Sequence, residues 1–281
     1  MRNISGAVCQ KILANFIFVI GWNAAIFGQG NCLIYPEGSG ERRACELSYL
    51  AIEYPQGSKE SQALFDQAIE VGPKYAWAYY QKSVPFFKRG MFADGVTLIN
   101  RAIALEPRNY LYYRAYWYFY NLSYDHAIRD LEALYTTHKS GYTTTPSGEL
   151  EMRLILAMAL GQTGRASEGI AWIEDLMERY REQPYLKGLY DHHCLGILYL
   201  ENDQLDLAEV EFQEQLKVND RFADTYYYLG LLKEKQRQPE EAKKYFRRAM
   251  SMFNGEEEGY SVNFFLAYNV HEDDVVRQLE G

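Results

Sequence analysis

The residue types best suited to chemistry stand together at Asp191-His192-His193-Cys194, a carboxylate, two imidazoles and a thiol in one run. Such groups can ligate zinc or move a proton. Consecutive residues on a helix project about 100° apart, however, so these four cannot converge on one ion or one reacting atom. Elsewhere the sequence holds no Cys-x-x-Cys, His-Glu-x-x-His, glycine-rich phosphate loop or Gly-x-Ser-x-Gly turn. Its carboxylates scatter over solvated helix faces rather than pairing in an apolar setting. No catalytic residue, no metal and no cofactor is therefore expected. The rival reading, an enzyme built from the 136–148 segment and the Asp191 region, lacks any motif with mutual geometry. Asn121-Leu122-Ser123 fits a glycosylation sequon, a three-residue pattern of little specificity.

Charge removes another class of function. The formal net charge is −9 and no basic run occurs, whereas nucleic-acid binding depends on clustered Lys and Arg. A nucleic-acid partner is not expected. Arg2 and Lys11 are the only charges among the first thirty residues, and an apolar stretch runs from Ile12 to Phe27. That pattern reads as an export signal over 1–30, short for a membrane span and weakened by Asn15 and Asn23. A retained anchor and a buried helix are the alternatives. Cleavage within Gly28-Gln29-Gly30-Asn31 would remove two positive charges and take the net from −9 to −11. Gln29-Gly30-Asn31 before Cys32 lacks the residues that precede a lipid-modified cysteine. The expected product is a periplasmic or secreted chain with no stable membrane insertion.

In an oxidising compartment Cys32 and Cys45, which flank a segment with Pro36, Gly38 and Gly40, are a disulfide candidate; two free thiols are the other reading. Cys194 lies inside a helical pattern and reads as a small buried apolar residue.

The elements that position these residues emerge from self-comparison. Leu195-Gly196 recurs as Leu229-Gly230, and the same 34-residue offset carries Ala208 to Ala242, Phe212 to Phe246 and Pro73 to Pro107. At the crossing of two helices a small residue lets the backbones approach, the place of Ser83, Ala157, Gly196 and Gly230. On the second helices Ala68, Ala102, Ala208 and Ala249 recur beside Phe65, Ile99, Phe212 and Phe246. Turn signals at Arg89-Gly90, Thr163-Gly164-Arg165, Asn202-Asp203 and Gln238-Pro239 separate apolar-periodic runs. Paired amphipathic helices at this period resemble the tetratricopeptide-repeat (TPR) family over almost all of Glu41 to Asn254.

The resemblance implies an all-α, right-handed solenoid of about five helix-turn-helix units with terminal caps. It divides the chain into an N-terminal segment with a degenerate first repeat (31–73), repeats over 74–135, an insertion at 136–148, repeats over 149–254 and a capping segment at 255–281. The first helix of the first unit reads as interrupted by Pro55-Gln56-Gly57. In the third unit Trp117 stands where a small residue belongs, and the loop Asn121-Leu122-Ser123-Tyr124 reads as shortened. Val262 to Tyr268 reads as a helix covering the last repeat. The insertion either divides the solenoid or projects from it.

In TPR proteins the first helices line a concave groove that receives an extended peptide or partner helix. By register, Trp77, Tyr80, Tyr118, Tyr190, His193, Tyr227 and Tyr228 fall along it, with Lys88, Arg114 and Lys235 as positive points for a partner carboxylate. Tyr and Trp bring large, rigid contact area with a polar tip. Aromatics on first helices also fill the core, the role assigned to Tyr79, Phe86, Tyr113, Tyr199 and Tyr226. The resemblance thus implies a non-catalytic scaffold binding a protein or peptide; a module stacking a glycan or small ligand on the aromatic groove is the alternative. The sequence is silent on oligomeric state.

Overall fold

The computed structural model describes residues 31–183, 187–261 and 268–280. The export-signal reading and most of the Val262 to Tyr268 helix lie outside the described residues. The chain forms two compact units that meet in sequence at Leu105/Glu106.

In the first unit the described chain opens with a short 3-10 turn, Cys32–Ile34. It continues through α1 (Gly40–Ile52), α2 (Lys59–Val71), α3 (Ala76–Lys88) and α4 (Phe92–Leu105). Ser39 and Ser58 cap α1 and α2, their hydroxyls accepting from Arg42 N at 3.2 Å and Ser61 N at 3.1 Å. The α1–α2 pair closes on Ala44, Leu47, Ala51, Phe65 and Ala68, with Tyr75 and Ala78 of the next helix region completing the cluster. Pro55-Gln56-Gly57 lies in the connection after α1, so the first helix is not interrupted: it runs thirteen residues and ends before the proline. A disulfide joins Cys32 to Cys45, with Cα atoms 5.6 Å apart, and ties the opening turn to α1.

The second unit begins with α5 (Pro107–Tyr120) and α6 (Tyr124–Glu132), which runs into a π turn at Ala133–Thr137. It continues as α7 (Met152–Gln162), α8 (Ala166–Glu182), α9 (Asp191–Glu201) and α10 (Leu205–Val218). α11 (Ala223–Lys235), α12 (Pro239–Phe253) and α13 (Glu272–Glu280) complete it. Pro107 and Pro239 stand in the first turn of their helices, where the missing N–H is no loss. Close crossings depend on glycine: a Cβ on Gly196 would meet the Phe212 ring at 2.6 Å, and one on Gly230 the Phe246 ring at 2.3 Å. On α5, where Trp117 replaces the small residue, Ala115 and Phe119 are buried, as are Ala127, Ile128 and Leu131 of α6.

One turn joins the two helices of five pairs among the described residues, and each is three residues long. The middle residue is left-handed in all: Gly90 (φ 74°), Leu122 (57°), Gly164 (76°), Asp203 (54°) and Arg237 (61°). The residue after it donates back to the carbonyl five positions earlier, Met91 to Phe86, Ser123 to Tyr118, Arg165 to Leu160, Gln204 to Tyr199 and Gln238 to Lys233, at 2.8–2.9 Å. The middle N–H reaches the carbonyl three back, which makes each turn a Schellman C-cap. The loop at Asn121–Ser123 is therefore not shortened; it has the common length and differs only in placing leucine where glycine is easier.

The 136–148 segment lies inside the second unit. It folds back on α7, with Thr145 N donating to Leu150 O and Met152 N to Thr143 O, both at 2.8 Å. Of the residues assigned to the core, Tyr79, Tyr113, Tyr199 and Tyr226 are buried, and Phe86 is only half-buried.

Candidate interaction surface

The predicted groove residues have separate fates. In the first unit Trp77 stacks on Tyr49 with centroids 4.9 Å apart and is half-buried against the core; Tyr80, one turn on, is also half-buried. Lys88 donates to Gln56 Oε1 at 2.8 Å, in the turn of the preceding helix pair. Lys235 makes the equivalent reach in the second unit, to Asp203 Oδ1 at 2.7 Å and Leu200 O at 3.1 Å. Both cations are exposed and reach the turn of the neighbouring helix pair. Arg114, assigned with them to a partner carboxylate, is instead taken by an internal one: its Nε and Nη2 each donate to Asp130 at 2.7 Å, a two-pronged pair to a carboxylate only 6% exposed.

Tyr190 and His193 are buried, against the expectation that they face a groove. The His193 backbone N–H donates to Gln215 Oε1 at 3.0 Å, and its Nδ1 lies 3.1 Å from Thr225 Oγ1. Burial pushes its pKa down to about 3, so the ring is neutral at physiological pH. Adjacent His192 points elsewhere, to Glu211 at 2.7 Å. Among the described residues no three His, Cys, Asp or Glu side chains are grouped to hold a metal, and no helix is long and apolar enough to cross a membrane.

His193 is enclosed by Phe212, Phe222 and Tyr228 of the repeats, and the chain's own C-terminal segment meets Tyr190. Tyr260 pairs its backbone with Arg221 and Ala223 at 2.9 Å, and its hydroxyl meets that of Tyr190 at 3.3 Å. Ser261 donates to Asp224 Oδ1 at 2.5 Å and Val270 N to Asp224 Oδ2 at 3.3 Å. Burial raises the Asp224 carboxyl to a pKa of about 7. Tyr268 accepts from the Tyr228 hydroxyl at 2.9 Å and donates to Glu201 Oε2 at 2.9 Å. A Cβ on Gly161 would lie 2.3 Å from the Tyr268 hydroxyl, so this glycine makes room for it. Leu154, Met158 and Ile197, on the same faces of α7 and α9, are sealed from solvent. Tyr227 is half-buried beside α13, and Tyr228 is held by the segment rather than offered to a partner. The apolar character of 262–268 was the one sequence signal for this, but Tyr268 reaches α7 and α9, well beyond the last repeat.

A further run of partly accessible aromatics belongs to α5. Tyr112, Tyr116, Trp117 and Tyr118 are half-buried and Tyr120 is 50% exposed. Tyr116, Trp117 and Tyr120 form one cluster, with centroids 5.4 Å apart for Trp117–Tyr120 and 5.6 Å for Tyr116–Trp117. Tyr118 lies between Arg114 at 5.7 Å and His126 at 4.9 Å. Tyr118, the residue the register placed on the groove, stands two positions from Tyr116 and Tyr120 and so on the other side of α5, toward His126 of α6; Tyr116 and Tyr120 were left out, and their signal was the aromatic run of Tyr110 to Tyr120.

Residues 223–254, the α11–α12 pair, match the family model of the tetratricopeptide repeat. Curated proteins gave no match to the sequence. Among solved structures the chain is similar to PilF of Pseudomonas aeruginosa, at 14% identity and a TM-score of 0.55 over 77% of this chain and 94% of that one. It is also similar to YrrB, described as a TPR protein with an unusual peptide-binding site, at 15% identity and 0.52 over 67% and 91%. The APC/C hetero-tetramer Cut9–Hcn1 gives 14% and 0.55, with 85% of this chain matched to 42% of that one. These likenesses concern the fold. Residues 223–254 thus match the tetratricopeptide repeat, and the same helix-pair unit and turn recur in both compact units of an all-α helical-repeat fold.

Proposed function

We propose that the chain is an exported, non-catalytic scaffold that binds a peptide or a partner protein on the aromatic face of α5. The observation that carries this reading is exposed Tyr120 with half-buried Tyr116 and Tyr112 one and two turns before it on the same helix face, in a fold that serves generally as a protein-interaction scaffold. Interface hot spots are enriched in such side chains because two torsions fix a large, amphipathic surface. Peptide binding by YrrB, a relative in fold, supports the class of function. Export is supported by the charge and hydropathy of the first thirty residues and by a cysteine pair suited to an oxidising compartment.

The test is capture of partners from the native host's envelope and medium with the chain starting at Asn31. A Tyr116→Ala/Tyr120→Ala form, matched in helicity and melting temperature, is the control. A partner that binds the first form and is lost from the second supports the α5 face; one that binds both equally overturns it. Terminal sequencing of the purified protein tests export: a start within 28–31 supports it, and a start at Met1 in the soluble cytoplasmic fraction refutes it.

A further inference from the structure

An open cleft of about 740 Å³ lies on the second unit, between the π turn, the segment that follows it and the outer face of α8. It is separate from the α5 aromatic face. Its lining includes Arg153, which is only 3% exposed. The Arg153 guanidinium packs over the Tyr135 ring with its Cζ 4.0 Å from the centroid, and its Nη1 donates to Glu151 Oε1 at 2.6 Å. Its Nε has no hydrogen-bond partner among the described residues. A guanidinium is charged at every relevant pH, and a buried donor left unpaired is an uncompensated loss of hydration. Glu151 reaches Nη1 and not Nε, and its carboxylate also accepts from the Tyr135 hydroxyl and two backbone amides.

The rest of the cleft limits what can fill it. Lys139, exposed at the rim, forms no ion pair among the described residues. The carboxylates in the lining, Glu168 and Asp175, are paired with Arg165 at 2.7 Å and Arg179 at 2.8 Å. These pairs cancel, Arg179 being itself in the lining, so the cleft keeps one excess positive charge on Lys139 beside the Arg153–Glu151 pair, which favours one negative charge. Trp172, half-buried and 5.7 Å from Tyr135, and Ala171 supply an apolar wall beside the charge.

We infer that this cleft is a binding site for a single carboxylate attached to an aromatic or apolar body, as presented by the C-terminus of a peptide. Arg153 and Lys139 take the carboxylate, and the adjoining side chain packs on Trp172. A peptide is favoured over an acidic sugar because the lining side chains left uncommitted offer few groups for ring hydroxyls, Ser140 being bonded to Thr143 at 3.0 Å.

The test is a titration of the intact 15N-labelled chain, following the Arg153 Nε–H resonance. The probes are N-acetylphenylalanine, its amide, glucuronate and inorganic phosphate. N-acetylphenylalanine is expected to bind with a dissociation constant of about 1 mM, shift that resonance, and bind about tenfold to a hundredfold more tightly than its amide. Lys139→Gln and Trp172→Ala, both away from the buried pair, are each expected to weaken it about threefold to tenfold. Equal binding of acid and amide, no binding at ten times the expected constant, or an unmoved Arg153 Nε–H signal overturns the site. Tighter binding of glucuronate or phosphate overturns the peptide assignment.

Discussion

The five Schellman turns form an internal series in which backbone and contacts are nearly constant and only the left-handed residue changes. A left-handed non-glycine residue costs roughly 1–2 kcal/mol, and glycine restores about 0.4–1 kcal/mol of unfolded-chain entropy against it. Replacing Leu122 or Arg237 by glycine should therefore stabilise the second unit by about 0.5–1 kcal/mol. Leu122 is 59% exposed, so little burial is lost; Arg237 is exposed. The reverse change, Gly164→Ala in the same unit, should destabilise by a similar amount, since nothing lies within 4 Å of the added Cβ and only the backbone resists. Asp203→Gly should gain less, because aspartate tolerates this conformation and the change removes the bond from Lys235. Urea unfolding followed by far-ultraviolet circular dichroism, with slopes compared between variants, measures each difference. Destabilisation by Leu122→Gly and Arg237→Gly, or a gain from Gly164→Ala, would refute this account of the turns.

Gly196→Ala and Gly230→Ala each drive a methyl into a buried phenylalanine ring and should each cost about 1–3 kcal/mol in the same unfolding assay; a loss under about 0.5 kcal/mol would mean the helices separate freely. Removing the disulfide by Cys32→Ser frees a loop with a sequence separation of 13 and should destabilise the first unit by about 3 kcal/mol, read from urea midpoints with and without reductant. Asp224, raised to about 7 when folded, holds its proton more tightly folded than unfolded. Its contribution to stability is full below its ordinary pKa of 3.8 and is lost as pH rises through about 7. Asp224→Asn should therefore gain on the native chain between pH 4 and pH 8, by an amount bounded at roughly 4 kcal/mol, and a pH-independent difference would contradict this.

The repeat was legible because its signals are local and chemical. Gly196 with Phe212 and Gly230 with Phe246 mark two crossings at one spacing, and the structure puts each glycine under its ring. The turns were half legible: Gly90 and Gly164 announce a left-handed residue, whereas Leu122 and Arg237 carry the same conformation without any compositional mark. Register placed the groove positions on the first helices but could not say what covers them. Arg114 pairs forward with Asp130 inside one helix pair, whereas Lys82 pairs back with Asp66 of the preceding one, so no common spacing marked Arg114 as lost to an internal pair. The contact of Tyr268 with Glu201 spans 67 residues and obeys no period, so neither propensity nor spacing foretells it.

That contact changes how the α7–α11 face competes. Tyr260 and Tyr268 belong to the same chain as the surface they cover, so their encounter with it is intramolecular and corresponds to an effective concentration of roughly millimolar for a short tether. An external strand directed to that face must displace a resident it can never dilute. Raising total protein does not loosen the resident, since its association is first order. A partner gains entry there only by an intrinsic affinity well beyond that tethered concentration, or by first drawing the segment away from Asp224 and Glu201.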